Sequence, residues 1–193
     1  NRTGALIIVS HLGNQELSRA LAAQHTDIKL NVLVHTKHAQ KFNHLLNETN
    51  TASHLNLLQV TEISPATAID LKTRVDNGEM VVIAGDRTPV NGGHQSVVSF
   101  LGERADFPQG PYILASVLQC PVLLMFNSSS CGDHHIFIEK FSDKISLNRK
   151  TRNSDITFWA QKFANRLAEY TIRSPLEWNN FYHFWDSAKN DKG

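Results

Sequence analysis

Cysteine is scarce in this chain: Cys120 and Cys131 are the only two in 193 residues. They lack metal-type spacing, and we read both as reduced, structural thiols of a reducing compartment. No apolar run approaches the roughly 20 residues that cross a bilayer, and no signal-peptide pattern is present. Neither charge sign prevails. Lys and Arg number 19 and Asp and Glu 18, for a net charge of +1, which leaves no strong field for nucleic acid. A G-x-S-x-G elbow is missing, which disfavours a serine hydrolase. Without G-x-G-x-x-G or a P-loop, nucleotide folds lack their phosphate grip. Histidine is abundant at ten. Yet His35 and His38 stand three apart and His134 and His135 are adjacent, unlike the i, i+4 pair with a third ligand of hydrolytic zinc sites. We therefore expect neither a metal nor a cofactor.

What remains is a globular composition, 41% apolar and 19% charged, long enough for one sizeable core. Short β-branched runs alternate with helical patterns. The expected strands are Ala5–Ser10, Leu30–His35, Asn56–Val60, Met80–Ala84, Ser96–Phe100, Pro121–Asn127 and His135–Phe141. The expected helices are Asn14–Gln24, Lys37–Leu46, Pro65–Asn77, Gly110–Gln119 and Asp155–Ile172. Runs such as "MVVIA" and "PVLLMF" show no polar alternation, as in strands covered on both faces. The predicted fold is α/β, a largely parallel central sheet flanked by helices. It forms a single domain over residues 1–185 with a flexible tail at 186–193. The chain enters a core strand almost at once from Asn1, and we expect an upstream segment that carries a membrane anchor.

Chemistry concentrates first at "SHLGNQE", residues 10–16, directly after the first apolar strand. Functional groups collect where strands of an α/β sheet end and helices begin. Gly13 permits a tight turn, Asn14 suits a helix cap, and Glu16 falls in the first helical turn. A turn between His11 and Glu16 lets the carboxylate fold back onto the imidazole and fix its tautomer. The other ring nitrogen is then left to take a proton from an alcohol, the base-and-orienter half of a triad. On these residues alone the plainer alternative is the favoured one: Glu16 complements the helix N-terminus and His11 satisfies the turn.

Three further stretches bear on the choice. "AGDRTPV", residues 84–90, sets Asp86 and Arg87 at a second strand end, as an anion clamp or as a structural pair. "FLGERADFPQGPYILAS", residues 100–116, has a Gly turn and then a helix start whose N–H groups suit an anion or carbonyl oxygen, or serve ordinary turn and Pro chemistry. "SPLEWNNFYHFW", residues 174–185, is dense in aromatics and suits a closing core helix, a cover over an acyl channel, or a membrane interface. The cluster Lys144, Arg149, Lys150 and Arg152 suits a solvated loop, or an acidic carrier protein or anionic lipid heads.

Taken in this order, the four blocks resemble the bacterial lipid A late acyltransferases, the lauroyl/myristoyl acyltransferases of the wider H-x4-D/E glycerolipid acyltransferase group. "SHLGNQE" resembles the family's H-x-G-N-x-E block, and "GDRT" its D-R-T block. "FLGERADFPQGPYILA" resembles F-x-G-x-x-A-x-F-P-x-G-P-x-x-L-A, and the end resembles Glu-Gln-Trp-x-x-Phe-Tyr-x-Phe-Trp. The likeness runs from about Gly4 to Trp185. It departs at Gln15, where the family usually has Trp, and at Pro175-Leu176-Glu177-Trp178, where Pro-Glu-Gln-Trp is usual. The resemblance implies His11 as general base and Glu16 as its partner. It implies Asn14, Asp86, Arg87, Phe107 and Gly110 on the substrate side. Asp86 and Arg87 would lie near a phosphate or the carrier thioester, and Phe107 and Gly110 would shape the pocket. The implied reaction moves a fatty acyl chain from an acyl carrier protein thioester to a hydroxyl of a lipid or glycolipid, lipid A-type by family default. The implied place is the cytoplasmic face of the bacterial inner membrane. Two alternatives remain: an acyl-CoA-dependent lysophospholipid acyltransferase, and a non-catalytic acyl-lipid-binding domain. Only an enzyme needs His11 and Glu16 within hydrogen-bond reach of each other and facing an apolar groove.

Overall fold

The computed structural model describes residues 3–14, 28–34, 55–59, 64–88, 93–130, 133–180 and 184–185. The helices expected over 14–24 and 37–46, the tail at 186–193 and Glu16 lie outside this set, apart from Asn14. The described residues form eight strands and three α-helices. The strands are β1 (Leu6–Val9), β2 (Leu30–Val34), β3 (Leu55–Gln59), β4 (Met80–Ala84), β5 (Gln95–Phe100), β6 (Glu103–Pro108), β7 (Val122–Ser130) and β8 (Asp133–Ser142). The helices are α1 (Pro65–Asp76), α2 (Gly110–Leu118) and α3 (Arg152–Arg173).

Six strands make the main sheet, in the order β3-β2-β4-β1-β7-β8. The first five run parallel and β8 returns antiparallel to β7. This is the expected α/β architecture. The central strands explain themselves: Leu6, Ile8, Val81, Val122 and Leu124 are fully buried on one face, and Ile7 and Val82, paired across β1 and β4, are buried on the other, so both sheet faces are covered and alternation disappears. Each helix carries its own start and stop. Ser64 caps α1 by accepting the Thr67 N–H at 3.1 Å, with Pro65 in the first turn. Pro111 opens α2, which closes on Gln119 in the left-handed region. Ile156, Ala160, Phe163, Ala164, Leu167 and Tyr170 form the buried stripe of α3.

Two elements differ from expectation. Glu103–Pro108 is a strand, paired antiparallel with β5 in a separate two-stranded sheet. Leu101 and Gly102 both take positive φ between them, the geometry of a two-residue hairpin loop whose twist matches its strands. Only Ala105, Phe107 and Pro108 of β6 are buried, a pattern too weak to read as a strand beforehand. Among the described residues the aromatic end is also not a closing helix. After α3 the chain makes one 3-10 turn, Pro175–Glu177, then crosses the sheet end in extended form. Pro175 has no N–H to continue α3. Trp178, Phe184 and Trp185 pack onto Phe100, with ring centroids 5.1, 5.8 and 6.4 Å away.

Candidate active site

The site is set by sheet register. β1 and β4 are parallel neighbours with Val9 opposite Ala84. Two residues beyond each strand stand His11 and Asp86, brought to the same level although 75 positions apart in sequence. The Asp86 carboxylate accepts the His11 backbone N–H through Oδ2 at 2.7 Å and contacts His11 Nδ1 through Oδ1 at 2.8 Å. A carboxylate only accepts, so Nδ1 carries a proton, and in the neutral imidazole Nε2 presents the lone pair. The Asp86 side chain is 1% exposed and that of His11 24%, so the anion is enclosed while the imidazole reaches solvent.

Small residues let the two strand ends close up. A Cβ on Gly85 would meet Ile8 Cγ2 at 2.5 Å and the Phe163 ring at 3.0 Å. Gly13 takes φ +71°, and a Cβ there would lie 2.6 Å from the Asn127 carbonyl oxygen. The His11 turn is thus pressed against β7.

A strap formed by Glu177, Trp178 and Asn179 crosses this turn. The Gly13 N–H donates to the Glu177 carbonyl at 2.9 Å, and the Asn179 N–H donates to the His11 carbonyl at 3.0 Å. Asn179 Nδ2 donates to the Gly13 carbonyl at 3.2 Å. The Glu177 carboxylate accepts the Ser129 N–H at 2.7 and 2.9 Å, and the Ser174 and Ser128 hydroxyls meet at 2.7 Å. Trp178 Nε1 donates to Asp86 Oδ2 at 3.3 Å. Arg87, half-buried, donates its guanidinium N–H to the Asn179 carbonyl.

The remaining expected residues are placed as follows. Asn14 is exposed beside the turn, on a narrow notch shared with Asn127, Ser129, His134 and His135. Phe107 is fully buried among the rings of Phe100, Phe163 and Phe184. Gly110 begins α2, and a side chain there would meet nothing within 4 Å. The structure brings together His11, Asp86 and Arg87, the last through the strap. It draws neither Phe107 nor Gly110 into contact with them. Glu16 lies outside the described residues, so its relation to His11 is not seen.

Sequence reasoning gave Asp86 a substrate-side role and overlooked it as the carboxylate on His11. The one available signal was that both residues follow buried strands at equal distance, which becomes a contact only once β1 and β4 are known to be neighbours. Trp178 was overlooked as a donor. Below Asp86, the Tyr112 hydroxyl is fully buried and has no hydrogen-bond partner among the described residues. Burial, and then the Asp86 charge, push its phenol well above the ordinary range. A surface hollow lies elsewhere, at the start of α3 beside Phe158 and Trp159. That is the far end of a 22-residue helix about 33 Å long. Chemistry, not hollow size, locates the site. Among the described residues no three His, Cys, Asp or Glu side chains converge as metal ligands, and no helix is long and apolar enough to cross a membrane.

The family described as bacterial lipid A biosynthesis acyltransferase matches residues 1–186 of the chain. No curated protein matches the chain.

Proposed function

The chain belongs to the bacterial lipid A biosynthesis acyltransferase family, and from that premise we propose that it moves a fatty acyl chain from an acyl carrier protein thioester to a hydroxyl of a lipid A-type acceptor, with His11 as general base. The observation that carries this reading is the 2.8 Å contact of buried Asp86 with His11 Nδ1. It supplies the orienter and leaves Nε2 ready to accept a proton.

In the proposed step the acceptor O–H gives its proton to His11 Nε2 as its oxygen attacks the thioester carbonyl carbon. Asp86 stays ionised and stabilises the imidazolium. The tetrahedral intermediate then collapses, the C–S bond breaks, and the imidazolium returns the proton to the departing thiolate. No protein nucleophile is needed, because the acceptor brings its own. General base catalysis of this kind is worth about 10²–10⁴-fold. Arg87, at the next position after Asp86, is the cation we assign to the acceptor phosphate or the carrier prosthetic group. We place the membrane surface at this end of the sheet. Leu176, one residue before the strap, is 98% exposed, which suits an apolar contact with lipid.

The test is acyl transfer by the full-length protein in membranes, with labelled acyl carrier protein and an extracted lipid pool, comparing wild type with His11→Ala. Labelled lipid that appears with wild type and vanishes in the variant is the expected result, and the product identifies the acceptor. Equal transfer by both proteins defeats the His11 mechanism. Labelling only from acyl-CoA defeats the carrier assignment and leaves the base in place.

A further inference from the structure

We propose that Trp178 is a positioning residue for the transfer step, holding the Asp86 carboxylate in the rotamer that orients His11. This deepens the reading above and rests on it. Among the described residues, Asp86 Oδ1 is held by the imidazole alone, whereas Oδ2 is held by the His11 backbone N–H at 2.7 Å and by the Trp178 indole N–H at 3.3 Å. The backbone bond comes from the same residue that carries the ring, so it cannot fix the carboxylate independently of the His11 turn. The indole N–H comes from the other end of the chain and supplies that independent hold.

The donor is itself fixed. The Trp178 ring sits edge-on to Phe100, Phe184 and Trp185, with centroids at 5.1, 4.9 and 6.0 Å. An indole in such a cage has one direction for its N–H. Its backbone is bridged to Leu12. Its neighbours Glu177 and Asn179 bond Gly13 and His11, so the cage is tied directly to the catalytic turn. Trp185 provides an internal contrast. It belongs to the same ring cluster, but its Nε1 is buried with no partner among the described residues. Loss of the N–H therefore has a consequence for Asp86 at 178 and none at 185.

The experiment compares Trp178→Phe with Trp185→Phe in the full-length protein. It reads kcat and KM for the acyl donor, and the downfield Nδ1–H proton of His11 by NMR. For Trp178→Phe we expect kcat to fall about 5- to 10-fold, KM to hold within about twofold, and the Nδ1–H resonance to move. Trp185→Phe thins the cage but removes no bond to Asp86, so it should move the resonance less and lower kcat less than Trp178→Phe does. Equal behaviour of the two variants overturns the proposal, since both then report only ring packing. An unmoved resonance in Trp178→Phe overturns it as well. Should Trp178→Phe fold poorly, benzothienylalanine at position 178 keeps the ring volume and removes only the donor, with the same two outcomes expected. His11→Ala run alongside separates the failures: activity without His11 defeats the parent reading, whereas loss with His11→Ala but not with the position 178 variants defeats this inference alone.

Discussion

Replacing Asp86 with Asn changes one atom and should stop the reaction through the tautomer of His11. Two of the three donors on Asp86 converge on Oδ2, and both are fixed: a backbone N–H at 2.7 Å and an indole N–H at 3.3 Å. Neither accepts a hydrogen bond. The amide oxygen of Asn must therefore occupy the Oδ2 position, because an NH2 there would face two donors. The NH2 then takes the place of Oδ1 and donates to His11 Nδ1 across the former 2.8 Å contact. Nδ1 becomes the acceptor, the proton moves to Nε2, and the lone pair that should deprotonate the acceptor is gone. The expected loss is the whole general-base contribution, about 10²–10⁴-fold in kcat. Stability should suffer far less. Two bonds to a neutral oxygen replace two to an anion, which costs about 1–2 kcal/mol, or roughly 2–8 °C in Tm for a chain of this size. Asp86→Ala, in contrast, strips every acceptor from a buried position and should cost about 3 kcal/mol or more. Single-turnover acyl transfer and thermal melts on the two variants separate chemistry from folding. Asp86→Asn that keeps more than about a tenth of wild-type turnover refutes the reasoning. The tautomer of His11 would then be set by some other group.

Two more substitutions probe the frame around the dyad. Gly13→Ala forces a side chain into φ +71° and places its Cβ 2.6 Å from the backbone oxygen of Asn127. Strand β7 cannot retreat, so we expect about 1–3 kcal/mol of destabilisation together with reduced turnover. A variant that melts like wild type would show that the turn is not pressed on β7. Cys120 is 3% exposed, and burial raises its thiol pKa, so little thiolate forms at pH 8. In a Cys131→Ser background, a thiol reagent at that pH should label Cys120 only as fast as the domain opens. Stoichiometric labelling of the folded protein within seconds would contradict this packing.

How much of this was legible in the sequence depends on the range over which each feature is decided. The helices expected over Pro65–Asn77 and Asp155–Ile172 lie within three residues of α1 and α3 at every end, because the Ser64 cap, Pro65 and the apolar stripe of α3 are settled within a few residues. The parallel character of the sheet was legible as well, since a run such as Met80–Ala84 announces burial on both faces by its composition. The β6 strand escaped because Glu103 and Arg104 are exposed and its pairing is a hairpin matter, decided by the left-handed Leu101–Gly102 turn. Of the three readings of the aromatic end, the closing helix is not what the described residues form, because Pro175 ends α3 and Trp178, Phe184 and Trp185 pack onto Phe100.

The dyad was hidden for a deeper reason. Sequence reasoning looks for a carboxylate near histidine along the chain, and Glu16 is the natural choice. In a parallel sheet, however, residues at equivalent positions beyond adjacent strands are spatial neighbours, whatever the length between them. With Val9 opposite Ala84, position +2 on each strand meets position +2 on the other, and these are His11 and Asp86. The same rule says which insertions the site tolerates. Residues added between β2 and β3 leave the β1–β4 register untouched, because both of those strands lie to one side of it. A single residue added between Val9 and His11, or between Ala84 and Asp86, moves one partner along the sheet by about 3.3 Å and breaks a 2.8 Å contact. Spacing within each strand end is thus the constrained quantity, and the 75-residue separation between them is not.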